Sequence, residues 1–292
     1  LFGELYLAGF DPIDVIGFFQ GGKMSHLADQ AAQNLEAVRN QKPLIHNITN
    51  YVVMNTTANA LLSMGASPVM AHAVNEVEEM VSFAGALVLN IGTLSDSWVT
   101  AMIAAGIRAS ERNIPVVLDP VGAGATDLRT RTANKIVAEV DIAVIRGNAS
   151  EILALRHADS QTKGVDAIHT VDDAATTAKL LADELGITLA LTGPTDLVTD
   201  GQRVIRIENG HPLMACVTGT GCMATAVAGA FLAVDSDPVS AAATALAFFG
   251  LAGEHAAEQA QAPGSFMVAL LDSLYTITPE QLRLQAKISR ET

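Results

Sequence analysis

Two rhythms of apolar residues alternate along the chain. Short unbroken runs occur at Leu44-Ile45-His46, Pro68-Val69-Met70-Ala71, Ala86 to Gly92, Pro115 to Pro120, Ile142 to Ile145 and Thr188 to Thr192. Such runs, lacking polar alternation, predict strands buried on both faces. Between them apolar positions recur at helical spacing. Ser25 is a candidate N-cap for a helix carrying Leu27, Ala31, Leu35 and Val38 to about Arg39. Further helices are predicted after Asn50 through Leu62, ended by Gly65; from Glu76 to Ala84; from a Ser95 cap to about Glu111; and over about Asp172–Leu185. Leu197-Val198-Thr199 and Arg203-Val204-Ile205 flank Asp200-Gly201, a hairpin signal. From Thr220 to about Leu274 the chain reads almost entirely helical. The pattern predicts an α/β fold of three layers, α/β/α, with a mostly parallel central sheet and a helical C-terminal third.

Residues 1–23 break this pattern. They are aromatic-rich, carry Glu4, Asp11 and Asp14, and lack the basic start and cleavage site of a signal peptide. Met24-Ser25 reads as an ordinary start, so residues 1–23 are expected to be an extension outside the fold. Residues 24–292 are expected to form a single domain, because no Pro/Ser-rich linker divides them.

Charge narrows the function. The net charge of −14, from 17 basic and 31 acidic residues, disfavours nucleic-acid partners. A small phosphorylated ligand remains allowed, since local dipoles and a bound cation override net charge. Only 16% of residues are charged against 50% apolar, which suggests covered surface, as in an oligomer. The uncharged stretches near the C-terminus are broken by Pro212 and Gly219-Thr220-Gly221 or are short and rich in Ala, Ser and Thr, so no membrane span is expected. Cys216 and Cys222, the two cysteines, form no disulfide framework and no zinc signature; a reducing compartment is the natural reading.

Candidate chemistry begins at Val217-Thr218-Gly219-Thr220-Gly221-Cys222, a glycine-rich turn opening a long apolar helix. A helix start there aims unpaired N–H groups and a positive dipole end at whatever lies before it, which suits phosphate. Tight packing of a helix start on a strand is the plainer alternative. Ligands in open α/β sheets collect beyond the carboxyl ends of strands. Those ends read Asn90-Ile91-Gly92-Thr93, Asp119-Pro120-Val121-Gly122, Arg146-Gly147-Asn148 and Thr192-Gly193, suggesting one shared crevice. Asp119 is either a turn aspartate or, with Glu151, an organiser of hydrated Mg²⁺, which favours one or two carboxylates with retained water. Asn148 and Glu151 also suit a helix cap. Arg146 offers an always-charged phosphate donor. There is no P-loop, no H-E-x-x-H and no G-x-S-x-G, and the dinucleotide-like Gly219-to-Ala224 match leads into helix rather than a second strand.

These motifs resemble the ribokinase-like superfamily through Asn148-x-x-Glu151 and the glycine-rich turn. Closer still is the resemblance to bacterial hydroxyethylthiazole kinases. It covers about residues 34–275, including Pro43 to Asn50, Gly65 to Met70, Leu87 to Leu94, Leu118 to Ala125, Ile145 to Asn148, Val217 to Cys222 and Pro263 to Phe266. The resemblance implies transfer of the ATP γ-phosphate to the primary alcohol of 4-methyl-5-(2-hydroxyethyl)thiazole. This would be a Mg²⁺-dependent, cytoplasmic step of thiamine salvage, in a homotrimer with active sites between subunits. It assigns Met70, Gly219 and Asn50 to the thiazole, Arg146, Thr192 and Asn148 to ATP, and Asp119 and Glu151 to metal and phosphates. Met70, by residue type alone, is equally a core methionine. His46, His72 and His211 are left as satisfied polar residues.

Most sugar kinases of the superfamily place an aspartate base where this chain has Cys222. At a helix N-terminus the thiol is expected to have a lowered pKa. Gly219, Gly221 and Cys222 are therefore read as the catalytic segment: an anion hole, with Cys222 aligning the alcohol and taking its proton late. A small buried thiol packing on the substrate is the alternative. Competing functions are a hydroxymethylpyrimidine-type kinase, or a superfamily member acting as a lyase or ligand-binding module.

Overall fold

A computed structural model describes residues 26–155 and 171–291. The expected extension at 1–23 and the Ser25 cap lie outside the described residues. In chain order the elements are α1 His26–Gln41, β1 Leu44–Ile48, α2 Met54–Met64, β2 Ser67–Val69, α3 Val77–Val81, β3 Ala86–Asn90, α4 Asp96–Glu111 and β4 Val116–Asp119. They continue with α5 Asp127–Glu139, β5 Val144–Asn148, α6 Ala149–Leu153, α7 Val171–Leu185, β6 Thr188–Thr192, β7 Asp196–Thr199 and β8 Val204–Ile207. A 3₁₀ turn, Pro212–Cys216, precedes α8 Thr220–Leu232, α9 Pro238–Gln259, α10 Pro263–Thr276, α11 Pro279–Gln285 and β9 Ile288–Arg290.

The strands form one nine-stranded sheet in the order β2-β1-β3-β4-β5-β6-β7-β8-β9. β1 to β6 run parallel, and β7, β8 and β9 are antiparallel additions at one edge. The parallel strands need no polar alternation because helices cover both faces. In β3, Val88 faces a core with α8 and α9, while Leu87 and Leu89 face one with α4 and α5. α8 is buried at every position from Met223 to Leu232, so its apolar run is a central core helix. The strand order reverses between β1 and β3, and that switch point opens a crevice at the carboxyl ends of the strands.

The structure departs from the sequence reading in places. α5 is helical although no helix is predicted there; only Thr132, Ala133 and Ile136 are buried, too few to print a clear apolar stripe. The 3₁₀ turn and β9 are likewise additions. Ser95 stands at the N-cap of α4, but its hydroxyl pairs with Ser97 Oγ at 3.1 Å instead of capping the backbone. Asn148 and Glu151 do form the expected capping box.

Candidate active site

Four strand ends and the start of α8 converge at the carboxyl edge of the sheet. Register places Asn90 beside Asp119, and Asn148 beside Thr192. Above them Gly219 is the N-cap of α8, with φ +86°, a left-handed conformation that glycine adopts without strain. A side chain there would also meet Val53 Cγ1 at 2.6 Å, so glycine lets the loop after β1 close against the helix start. Met223 N–H reaches Gly219 O at 2.8 Å, the first bond of the helix. The N–H groups ahead of it carry the positive end of the dipole.

Arg146 lies directly beneath that helix start. A Cβ on Gly221 would come within 2.7 Å of its Nη1. Its guanidinium donates to Thr192 Oγ1 and stands 3.8 Å from Asp119 Oδ2, with only 11% of the side chain exposed. Asp119 is buried, and its Oδ2 accepts from Asn90 Nδ2 and Thr225 Oγ1, both at 2.8 Å. Burial chiefly raises its pKa to about 6, with Glu151 adding to the rise and Arg146, Thr225 and Asn90 opposing it.

Asp119 Oδ1 has no hydrogen-bond partner although it is buried, and neither does Arg146 Nε. A buried carboxylate oxygen left unmatched by the protein suits a hydrated divalent cation. Among the described residues no cluster of three or more His, Cys, Asp or Glu could hold a metal. The donor set therefore fits an ion carried largely by water and substrate phosphates. Glu151 is committed differently: Oε1 accepts from Gly122 N and Oε2 from Asn148 N, both at 2.9 Å. It braces the loop after β4 and retains further lone pairs toward solvent. Asn148 Oδ1 is occupied by Glu151 N and Ser150 Oγ.

Beside Arg146 and Thr192 a cavity of about 580 Å³ extends over Gly193, Asp196, His211 and Phe249, bounded by the 3₁₀ turn and α9. Its size is in the range of nucleotide and drug-like ligands. Asp196 in its wall accepts from Gly193 N at 2.9 Å, and burial raises its pKa to about 6.

On the other side of the helix start, Asn50 Nδ2 lies 3.5 Å from Cys222 Sγ. The expected lowering of the thiol pKa is corrected here. Burial, and then the Asp119 carboxylate, push it up to about 11, outweighing Asn90, Asn50 and Arg146. Met70 follows the edge strand β2, with β1 between it and β3. The Met70 carbonyl is held by His72 Nδ1 at 3.3 Å, and His72 packs on Trp98 with ring centroids 4.8 Å apart. Tyr51 covers the other part of Trp98 at 4.7 Å. His46 is only half satisfied: one ring nitrogen meets Ala71 O at 2.8 Å while Nδ1 is buried without a partner, a correction to its sequence reading.

Asn90 belongs to a strand end that the sequence places at the crevice without a role, while Thr225 and Arg129 are site residues that the sequence reading misses. Arg129, on α5, binds Val121 O and Gly92 O, both at 2.6 Å, and ties the loops after β3 and β4 together. A polar residue ending an apolar strand or interrupting an apolar helix is the signal that marks Asn90 and Thr225.

Comparison with known proteins gives the family. The sequence matches the profile of the Hydroxyethylthiazole kinase family over residues 35–280. It is 63% identical over 269 residues to the hydroxyethylthiazole kinase of Desulfotalea psychrophila, covering 92% of this chain and 98% of the relative. It is 51% identical over 254 residues to that of Methanocella arvoryzae, covering 87% and 96%. The structure superposes on the hydroxyethylthiazole kinase of Pyrococcus horikoshii OT3 with a TM-score of 0.83 at 47% identity, covering 90% of this chain and 99% of that one. A likeness of fold alone extends to the Staphylococcus aureus pyridoxal kinase in complex with AMP-PCP and pyridoxal, with a TM-score of 0.58 at 15% identity, covering 85% and 98%. The paired carboxylate and arginine beneath an open helix start thus sit in a ribokinase-like frame shared along nearly the whole sequence, and the chain belongs to the hydroxyethylthiazole kinase family.

Proposed function

We propose that the protein transfers the γ-phosphate of ATP to the hydroxyl of 4-methyl-5-(2-hydroxyethyl)thiazole, with Mg²⁺, as a thiamine salvage step in the cytoplasm. The observation that carries this reading is the convergence of Arg146, Asp119 with its unpartnered oxygen, and the N-terminus of α8 on one point. ATP occupies the cavity beside Thr192, with Arg146 and the Gly219-to-Cys222 amides on the phosphates and Asn148 nearby. Asp119 would hold the cation, with Glu151 as the neighbouring carboxylate. The cation supplies charge neutralisation on the phosphates.

The thiazole lies on the opposite side of the helix start, against Gly219, Asn50 and Met70. Phosphoryl transfer through a loose transition state depends on alignment and charge stabilisation more than on early proton removal. A thiol kept protonated by burial fits that demand as an aligning group, so Cys222 orients the alcohol and is not a resting thiolate base.

The assembly is a homotrimer with sites shared between subunits. Tyr51 and Val52, directly after Asn50, are each 63% exposed at the lip of the site, which supports a neighbouring subunit there. Purified protein with Mg-ATP and each alcohol in turn tests the substrate. Thiazole-dependent ADP release is expected; ADP release with hydroxymethylpyrimidine alone would transfer the assignment to the pyrimidine kinases.

A further inference from the structure

Asn90 ends β3 at the switch point and is 1% exposed. Its side-chain oxygen accepts from Asn50 Nδ2 at 2.9 Å and from Gly92 N at 3.0 Å. Its amide nitrogen donates to Asp119 Oδ2 at 2.8 Å. The orientation of this amide is fixed from both ends, because Gly92 N–H can only donate and an ionised Asp119 can only accept. Asn50 is fixed in turn: its Oδ1 accepts from Val52 N at 3.1 Å, and its Nδ2 serves Asn90 and Cys222 Sγ. Hydrogen-bond direction is thereby set along an unbroken path from the carboxylate to the thiol. The sulfur is an acceptor toward Asn50, which leaves its S–H to face elsewhere.

We propose that Asn90 is a positioning residue that couples the acceptor side of the site, Asn50 and Cys222, to its phosphate side, Asp119. The inference rests on placing the acceptor alcohol beside Asn50 and Cys222. Asn90 touches no substrate itself; it acts by holding Asn50 and Asp119 in one mutual geometry. Thr225 provides the comparison. It donates to the same Asp119 oxygen from α8 at 2.8 Å, with Gly221 O of its own helix at 3.2 Å, but has no bond to Asn50.

The test is calorimetric binding of the thiazole alcohol to protein free of metal and nucleotide, for wild type, Asn90→Leu and Thr225→Val. Loss of one buried hydrogen-bond partner predicts acceptor binding weakened about tenfold in Asn90→Leu. Thr225→Val should stay within about twofold of wild type, since its lost bond does not reach Asn50. Wild-type acceptor affinity in Asn90→Leu, or an equal loss in Thr225→Val, overturns the coupling. Should Asn90→Leu not fold, the measurement on the unaltered protein decides the proposal. The unaltered protein gives an independent reading: acceptor binding should shift the side-chain amide resonance of isotopically labelled Asn90, and no shift overturns the proposal. Wild-type protein that binds no thiazole alcohol would instead refute the placement of the acceptor.

Discussion

Among the described arginines set against aspartates, Arg203 and Arg146 are held in opposite ways. At the β7–β8 hairpin Arg203 makes Nε–Asp200 at 2.9 Å, Nη1–Asp237 Oδ2 at 2.6 Å and Nη2–Asp237 Oδ1 at 2.8 Å, a two-pronged match. The bond to Arg203 lowers the Asp237 pKa; at Asp200, burial acts upward but hydrogen bonds from Arg203 and Gln202 prevail and lower it. At the site, Arg146 stands 3.8 Å from a fully buried Asp119, donates to Thr192 instead, and leaves polar atoms on both side chains unmatched. Burial there raises the acid instead. A completed ion-pair network anchors structure, whereas an incomplete buried one retains capacity for charges supplied by substrate.

That contrast can be broken by substitution. The largest effect is expected at Arg146→Ala, which removes the cation under the helix start: kcat/KM should fall roughly 10²–10³-fold, as on losing a preorganised charge-stabilising donor. Steady-state kinetics at varied ATP would show it; a change below about twofold would return Arg146 to a structural role. Cys222→Ala should lower kcat by about tenfold, the scale of lost alignment. A turnover equal to wild type would show that the thiol has no part in the chemistry.

The smallest effect is a pH dependence of stability, and here the two clusters pull in opposite directions. Asp119 and Asp196 have folded pKa values raised to about 6, so the folded state holds protons that the unfolded state has released. Their contribution is present below about 4 and lost as pH rises toward about 6. Asp200 and Asp237 are lowered, so their contribution is present above about 4 and lost as pH falls below it. Thermal midpoints of metal-free protein should therefore decline less between about pH 4 and 6 in Asp119→Asn than in wild type. An unchanged slope would show that Asp119 is ionised throughout.

The contrast also shows what a sequence carries. β3 to β6 were legible because a strand covered on both faces needs an unbroken apolar run, and Ala86-Leu87-Val88-Leu89 supplies one. The strand ends around Asp119, Arg146 and Thr192 were legible because the fold brings equivalent ends to one edge. α5 was not, since its polar surface masks three buried positions. The Thr225–Asp119 bond joins residues 106 positions apart, and no local spacing announces it. Cys222 shows the limit of a local rule: the helix start was visible, but burial and the neighbouring carboxylate, which reverse its pKa, come from the packed structure.

The central claim is that the unmatched buried pair is the reactive one and the matched pair is scaffold. Turnover and thermal midpoint measured together for Asp119→Asn and Asp237→Asn test it most directly. Asp119→Asn should lose nearly all thiazole-dependent ADP release at an unchanged or raised midpoint, while Asp237→Asn should keep its turnover at a lowered midpoint. Retained turnover in Asp119→Asn would contradict the account.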